Sequence, residues 1–378
     1  MNRIVALEGL STGSTQLSAG SRVVPLPDLP LHLEFRPLSN CAEIRAAWSD
    51  LASRALEPNP FFEPDIALAA AQHLVAFRDA AAILVWQGAE GSPARRLMGF
   101  LPCLPNNRLF GPDALTVLAD PRLFNGAPLL DRLQADEVLD AILTRKPARR
   151  GLALREIDLD GPFAQALQRA GERLGLPIRR ERTAAPRPLH KAEPTDTTAL
   201  KQALAREGKL TLVEAGPRSD IRDAIEIVLA LEASGPRARA GNATLQDTRE
   251  VGFVRAMTRG LARIRQCRTG LLMLGERPIA GAIILGKAQR GWLYVSTQDE
   301  AYAAFEPERL LLALMQQATP ARQILRRSGQ SLSGAAPIAI GGFTVSARPE
   351  HSPKHLALRA RDALRRGGFR LRRAAAGE

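Results

Sequence analysis

The chain has 378 residues, of which 45% are hydrophobic; that supports real cores, excludes a disordered chain and makes two domains the natural expectation. Aromatic residues make up only 4%, so the cores must be Leu, Ala, Ile and Val, while three distant cysteines, Cys41, Cys103 and Cys267, exclude a disulfide framework and a C-x-x-C metal site and fit a reducing compartment. The net charge is +13, yet eight bases stand against Asp362 between Lys354 and Arg373, so the basic balance describes the tail more than the folded body.

Residues 1–30 are rich in Ser, Gly and Pro and are expected to be disordered. The apolar run Ile4-Val5-Ala6-Leu7 ends at Glu8, too short for a signal-peptide core, and no segment reaches the length of a membrane helix. A cytoplasmic protein is expected, with a possible membrane contact at its cytoplasmic face. A first domain spans 31–183. It opens with a strand over 31–35, followed by helical spacing over 40–56 that puts Ile44, Trp48 and Leu51 on one face. Asn59-Pro60-Phe61-Phe62-Glu63-Pro64 is a loop, because its two prolines do not fit inside a helix. A helix follows over 65–74, then strands over 81–87 and 96–104 and an apolar piece over 115–119. A helix over 135–144, a strand over 152–159, a helix over 163–174 and a closing segment over 177–183 complete it. The alternation predicts a mixed α/β unit.

A linker over 184–194 contains Ala184-Ala185-Pro186-Arg187-Pro188. The second domain spans 195–345: a helix over 198–206, a strand over 209–214, and helices over 219–233 and 247–264. Strands follow over 270–274, 278–285 and 291–297, then a helix over 306–317. Gly275-Glu276-Arg277-Pro278 reads as a hairpin turn, so three antiparallel strands and a helix form this core. No clear sequence repeat links the halves. A basic tail covers 346–378.

The run from Arg277 to Gln317 is the most informative. A strand that feeds a helix N-terminus can receive a diphosphate, since the first amides there lack internal partners. Here that helix opens Glu306-Pro307-Glu308, and two carboxylates oppose an anion. Glu232 ends an apolar helical run; buried near a cleft it would be a general base, and otherwise it is a helix-end residue. Asp299 is a second candidate base or the cap of its turn. Arg237 and Arg239 either hold an anionic group or are solvated. Of five histidines only His351 and His355 have ligand spacing, with Pro353 between them and no third ligand near, so no metal is expected. No Gly-x-Ser-x-Gly or P-loop pattern occurs. The tail can lie on anionic lipid or be a solvated extension; nucleic acid is not expected, because Phe369 is the lone aromatic among its bases.

Several pieces, in order, resemble a known family: Asn59–Pro64, Gly126-Ala127-Pro128-Leu129-Leu130-Asp131, Asp160-Gly161-Pro162, Ala230-Leu231-Glu232-Ala233-Ser234-Gly235 with Arg239-Ala240-Gly241, Arg277-Pro278-Ile279-Ala280 and Asp299-Glu300-Ala301-Tyr302. The chain resembles the GNAT-superfamily acyltransferases, in the double-domain CelD-like branch associated with bacterial cellulose and envelope polysaccharide production. The resemblance implies two tandem GNAT-like domains, each a mixed, mostly antiparallel sheet flanked by helices. It implies acetyl-CoA or another acyl-CoA as co-substrate, held by Trp292, Tyr294, Val295, Ser296, Thr297 and Arg309. It implies Glu232 or Asp299 as the base, and Arg237, Arg239 and Tyr302 for an amine or hydroxyl acceptor, a saccharide or amine precursor. The chain departs from the family pattern at Pro236, Ala238, Val295, Gln298 and Glu306-Pro307-Glu308, and an Asp-Ser…His stretch is absent between Thr319 and Arg348. The alternative is therefore a catalytically degenerate GNAT fold that serves as a binding partner in polysaccharide production. A peptide-bridge-type aminoacyl transferase is a third reading.

Overall fold

Strand segments buried on both faces and amphipathic helices dictate a layered fold. A computed structural model of the protein describes residues 30–104, 114–145, 148, 151–182, 197–215, 218–287, 289–319 and 323–346. The expected disordered start, the linker and the basic tail lie outside these residues, apart from Pro30 and Ser346 at their edges. The first unit runs β1 (Leu31–Pro37), α1 (Arg45–Ser53), α2 (Pro64–His73), β2 (Ala81–Gln87), β3 (Arg96–Leu104), β4 (Leu115–Val117), β5 (Leu129–Leu130), α3 (Ala135–Thr144), β6 (Leu152–Asp158), α4 (Pro162–Leu174) and β7 (Ile178–Arg182). The second runs α5 (Thr197–Glu207), β8 (Leu210–Glu214), α6 (Arg218–Ala233), α7 (Pro236–Arg239), α8 (Thr248–Arg263), β9 (Cys267–Leu274), β10 (Arg277–Lys287), β11 (Arg290–Gln298), α9 (Pro307–Gln317) and β12 (Gln323–Leu325), followed by β13 (Ile340–Val345).

The local reasons are visible in the chain. β2, Ala-Ala-Ile-Leu-Val-Trp-Gln, is buried along its whole length and sits inside its sheet. α4 starts on Pro162, whose missing N–H costs a first turn nothing, and stops at Gly175 in the left-handed region. Asp247 caps α8 by accepting from the amides of Arg249 and Glu250. The helix expected over 40–56 is shorter, because residues Leu38–Ile44 wind as a 3₁₀ turn. Its three-residue period stacks Leu38 and Cys41 on one buried face. All three cysteines are free and buried.

Two sheets result, each mixed and flanked by helices. In the first the strand order is β1-β2-β3-β4-β6-β13-β7, with β5 beside β3. In the second it is β12-β11-β10-β9-β8. The two share a plan that no sequence repeat discloses. In each a strand (β1; β8, which α5 precedes) is followed by helices, then by three strands that complete an antiparallel run, and a helix crosses to a parallel neighbour. That neighbour pair is β4 with β6 across α3, and β11 with β12 across α9.

One segment departs from the expected division. Residues 340–345, read with the second unit, form β13 in the first sheet, antiparallel to both β6 and β7. Gly341 and Gly342 make that position accessible. A Cβ at Gly341 would lie 2.3 Å from the Glu181 carbonyl oxygen, and one at Gly342 would lie 2.7 Å from that of Leu154.

The units share one apolar core, in which Phe253, Val254, Met257, Trp292 and Val295 join Phe61, Phe62 and Phe124. α2 and α8 cross closely because Gly252 and Gly260 leave room for His73 and Asp65. Polar pins surround the apolar contact. Gln266 donates to Glu63 at 2.7 Å, and Arg290 reaches Glu57 at 3.4 Å and Asp158 at 3.1 Å. A smaller core lies under α9, with Leu310, Leu311, Leu314 and Met315 against Ile279, Ala282 and Ile284. Among the described residues no helix is long and apolar enough to cross a membrane.

Candidate active site

The site grows from one strand. On one edge β11 pairs with β10 from Arg290 to Gln298. On the other, β12 covers only Arg290, Gly291 and Trp292. From Leu293 onward that second edge has no strand among the described residues, so its backbone N–H and C=O groups are available. The divergence has a local cause. Ile283 pairs with Val295 and the next residue, Ile284, pairs with Leu293, which leaves Tyr294 as the extra residue of a bulge. A bulge bends its strand and raises the local twist, turning β11 away from β12.

A cavity of about 450 Å³ occupies the split. Leu293, Tyr294, Val295 and Ser296 form one wall, and Arg326 and Arg327, just past β12, form the opposite one. The first unit contributes Pro121, Arg122 and Phe124. Arg237, Thr244, Glu250 and Val254 complete the lining. The Tyr294 ring stacks on Phe124 with centroids 5.6 Å apart and planes at 22°. Phe124 is itself held by Phe61 at 5.2 Å and by the edge of Trp292 at 6.4 Å. Burial, reinforced by the Glu250 carboxylate, pushes the Tyr294 phenol far above its ordinary range, so it remains protonated at neutral pH.

Charges around the cavity are mostly paired. Arg122 donates to both oxygens of Glu250, at 2.7 and 2.8 Å, and to Asp120 at 2.9 Å. The Glu250 hydrogen bonds raise the Arg122 pKa further, so this guanidinium stays charged. Arg327 reaches Glu156 at 3.0 Å and lies over Phe124. Arg237 donates to Glu232 Oε1, and the Thr244 amide donates to Glu232 Oε2 at 3.1 Å. Glu232 is only 2% exposed and stands behind the wall that Arg237 and Thr244 form.

The residues expected from sequence fall into two groups. Tyr294, Val295, Ser296 and Arg237 line the cavity, with Glu232 behind them. Trp292 lies in the closed part of the sheet, paired to Leu285 and Leu325 and 1% exposed. Thr297 pairs with Gly281 beyond the cavity lining. The second group holds the turn before α9. Asp299 accepts from the Ala301 amide and pairs with Arg277 at 2.7 Å. Arg277 lies over the Tyr302 ring at 5.3 Å. Arg239 grips Glu300 through two bonds of 2.6 Å. None of these lines the cavity.

At the start of α9, Glu306 sits in the left-handed region with φ 48°. Its carboxylate pairs with Arg309 at 2.9 Å. Glu308 accepts from Ser296 Oγ at 2.6 Å, and its own amide donates to Gln298 Oε1 at 3.2 Å. Side chains of the protein thus occupy part of the helix N-terminus. Sequence reasoning missed Arg122, Phe124, Glu250, Arg326 and Arg327, which come from other elements and meet only in the fold. The one usable signal was Phe124, a loop aromatic in a chain poor in aromatics.

Residues 196–327 match the family model of the acetyltransferase (GNAT) domain. The matched stretch contains the open edge, the bulge, α9 and both arginines past β12. No curated protein matches the chain. Similar solved structures include FemX, 10% identical over 72% of this chain and 84% of its own, with a TM-score of 0.46. A tandem GNAT protein from the clavulanic acid biosynthesis pathway is 15% identical over 84% of this chain and 99% of its own, with a TM-score of 0.33. L-PGS from Bacillus licheniformis is 10% identical over 84% of this chain and 95% of its own, with a TM-score of 0.38.

A GNAT domain implies acyl-CoA as donor in general. Two parts of the site respond differently to that substrate. The free edge of Leu293–Ser296 suits the amides of a pantetheine arm, which need a strand-like partner. The α9 terminus, with Glu306, Glu308 and the Gln298 cap, is poorly suited to a diphosphate.

Proposed function

We propose that this chain transfers an acyl group from an acyl-CoA, with acetyl-CoA the simplest donor, to an amine or hydroxyl acceptor in the cleft beside β11. The observation that carries the reading is the unpaired edge beyond Trp292, opened by the bulge at Tyr294. The acceptor nitrogen or oxygen attacks the thioester carbonyl, the new C–N or C–O bond forms, and the C–S bond breaks. The acceptor proton passes through a water to the carboxylate of Glu250, which lines the cavity and releases the proton to solvent after turnover. The Tyr294 phenol, kept protonated by burial, donates a hydrogen bond that stabilises the departing thiolate, which then takes its proton from solvent. In this scheme Glu232 is a positioning residue for Arg237 and Thr244, while Asp299 fixes the turn before α9.

The acceptor class follows from resemblance alone. The pieces 126–131 and 230–241 point to precursors of envelope or exopolysaccharide production, and the basic residues of 354–373 would keep the enzyme at anionic membrane. A second reading has its own observation. Glu308, bonded to Ser296, stands where a diphosphate would approach, as expected of a degenerate GNAT fold that serves as a binding partner. Calorimetric titration with acetyl-CoA separates the two readings. Saturable heat at micromolar to low millimolar ligand supports the enzyme, and its absence across that range favours the partner.

A further inference from the structure

Four guanidinium groups line the cavity, and they differ in what they already hold. Arg122 spends its donors on Glu250 and Asp120, and Arg327 is bonded to Glu156. Arg237 gives Glu232 one bond, while its side chain remains 57% exposed. Arg326 pairs with no carboxylate among the described residues. It begins a tight turn in which its amide donates to Gln330 and its carbonyl accepts from Gly329, so its backbone is fixed at the cavity wall. Glu232, Glu156 and Asp120, which balance the other arginines, are not in the lining. The wall therefore presents spare, permanently charged donors with one carboxylate, Glu250, that is already committed to Arg122.

Position separates these donors from the donor substrate's diphosphate. Arg326 follows Leu325, the partner of Trp292 at the closed apex of the split. The α9 terminus lies at the other end, where Glu308 meets Ser296 and Gln298. At ~3.3 Å per residue those two contacts are roughly 13 to 20 Å from Trp292 along β11. A thioester carried down the open edge would reach the apex with its phosphates left behind.

We infer that the acceptor is an acid: a small amine or hydroxyl compound bearing a carboxylate or phosphate, gripped by Arg326 with help from Arg237. Guanidinium forks match both groups in two-bond geometry. The inference rests on the acyl-transfer reading for the word acceptor, while the anion site stands on the arginines themselves.

The test uses matched pairs on the full chain: glucosamine 6-phosphate against glucosamine, and glutamate against glutamine, by calorimetry at saturating CoA. The anionic member of at least one pair should bind ~10-fold tighter than its neutral control. The pair that shows the gap tells phosphate from carboxylate. Arg326→Gln should abolish the gap, and Arg326→Lys should restore part of it, because a single ammonium keeps the charge but not the fork. Acetyl-CoA binding to Arg326→Gln should stay within ~2-fold of the native value if the residue serves the acceptor. No gap in either pair overturns the inference, as does a gap that survives Arg326→Gln. A matching loss of acetyl-CoA affinity also overturns it, by assigning Arg326 to the donor. If acetyl-CoA gives no heat but the gap is present and falls with Arg326→Gln, acyl transfer fails and the acid-binding site stands.

Discussion

Ser296 donates its hydroxyl to Glu308 across 2.6 Å, joining the open edge of β11 to the first turn of α9. The bond closes the sheet-to-helix junction from inside and puts a carboxylate beside the helix amides. Both consequences bear on the same question, namely how an anionic carrier would approach.

Replacing Glu306 and Glu308 together by glycine should tighten acetyl-CoA binding about 10-fold. One carboxylate 4 Å from a phosphate costs about 4 kcal/mol at an effective dielectric near 20, and solvent at the half-exposed Glu306 reduces this to a fraction. Calorimetry on the native and double-variant chains measures the change. Unchanged affinity would mean that the diphosphate is held away from α9.

Glu306→Gly alone should stabilise the fold by about 0.5 to 1 kcal/mol. The residue sits at φ 48°, ψ 48°, where a Cβ crowds its own backbone and glycine does not. The Glu306–Arg309 pair lost in exchange is exposed on both sides and contributes little. The urea midpoint is the readout, and a fall in stability would show that the turn depends on that ion pair.

Tyr294→Phe should lower the rate of thiol release from acetyl-CoA by about 100-fold with a competent acceptor, leaving the dissociation constant of acetyl-CoA within a factor of about three. The ring keeps its stack on Phe124, so the change removes the phenol and little else. Loss of affinity with an unaltered rate would make Tyr294 a binding residue instead.

Much of the second sheet was legible in the chain because its signals are local. Gly275-Glu276 forces the turn between β9 and β10, Asp247 caps α8, and three apolar runs of suitable length follow one another. The cleft was half legible. Tyr294, Val295 and Ser296 lie on a strand that reads as a strand, but whether its far edge is covered depends on where β12 ends, and three residues leave no pattern. Arg122 and Phe124 sit in a loop of the first unit, more than a hundred residues from Tyr294, and no periodicity connects them. β13 was unreadable for a related reason. Its neighbourhood, Gly334 to Gly342, is Gly, Ala and Pro with two isoleucines, and its partners lie far upstream.

The buried contact between units should give a pH signature through Glu57. Burial raises its carboxyl above the ordinary 4.5, Arg290 opposes this, and Asp158 adds to it. A raised folded value means that the native state binds the proton more tightly than the unfolded chain. The resulting penalty is absent below pH 4.5, grows as pH climbs from there through the folded value, and is constant above it. Glu57→Gln lacks this titration, so its stability relative to the native chain should improve as pH rises across that window. Urea midpoints at several values between roughly pH 4 and pH 7 test the slope. Arg290→Met should cost about 3 kcal/mol at neutral pH, since it strands Glu57 and Asp158 without their cation.

The strongest coupling between the units is covalent order itself. β13 enters the first sheet between β6 and β7 only after the chain has built α9 and β12, so the first sheet is completed by a strand that follows the second. Gly341 is the residue at which this return is most exposed to perturbation. A methyl group there would lie 2.3 Å from the Glu181 carbonyl oxygen and 2.7 Å from Leu159 Cδ1. The first of these is backbone already paired in the sheet, so it cannot swing aside as a side chain would. Gly341→Ala should therefore cost about 2 kcal/mol or more. Because one core joins the units, the loss should appear as a single transition displaced to lower urea, seen alike by Trp48 and Trp86 in the first unit and by Trp292 in the second. Single-tryptophan versions of the chain would read each unit separately. Two separated transitions, with Trp292 unaffected by Gly341→Ala, would show that β13 serves the first sheet alone and that the cleft does not depend on it.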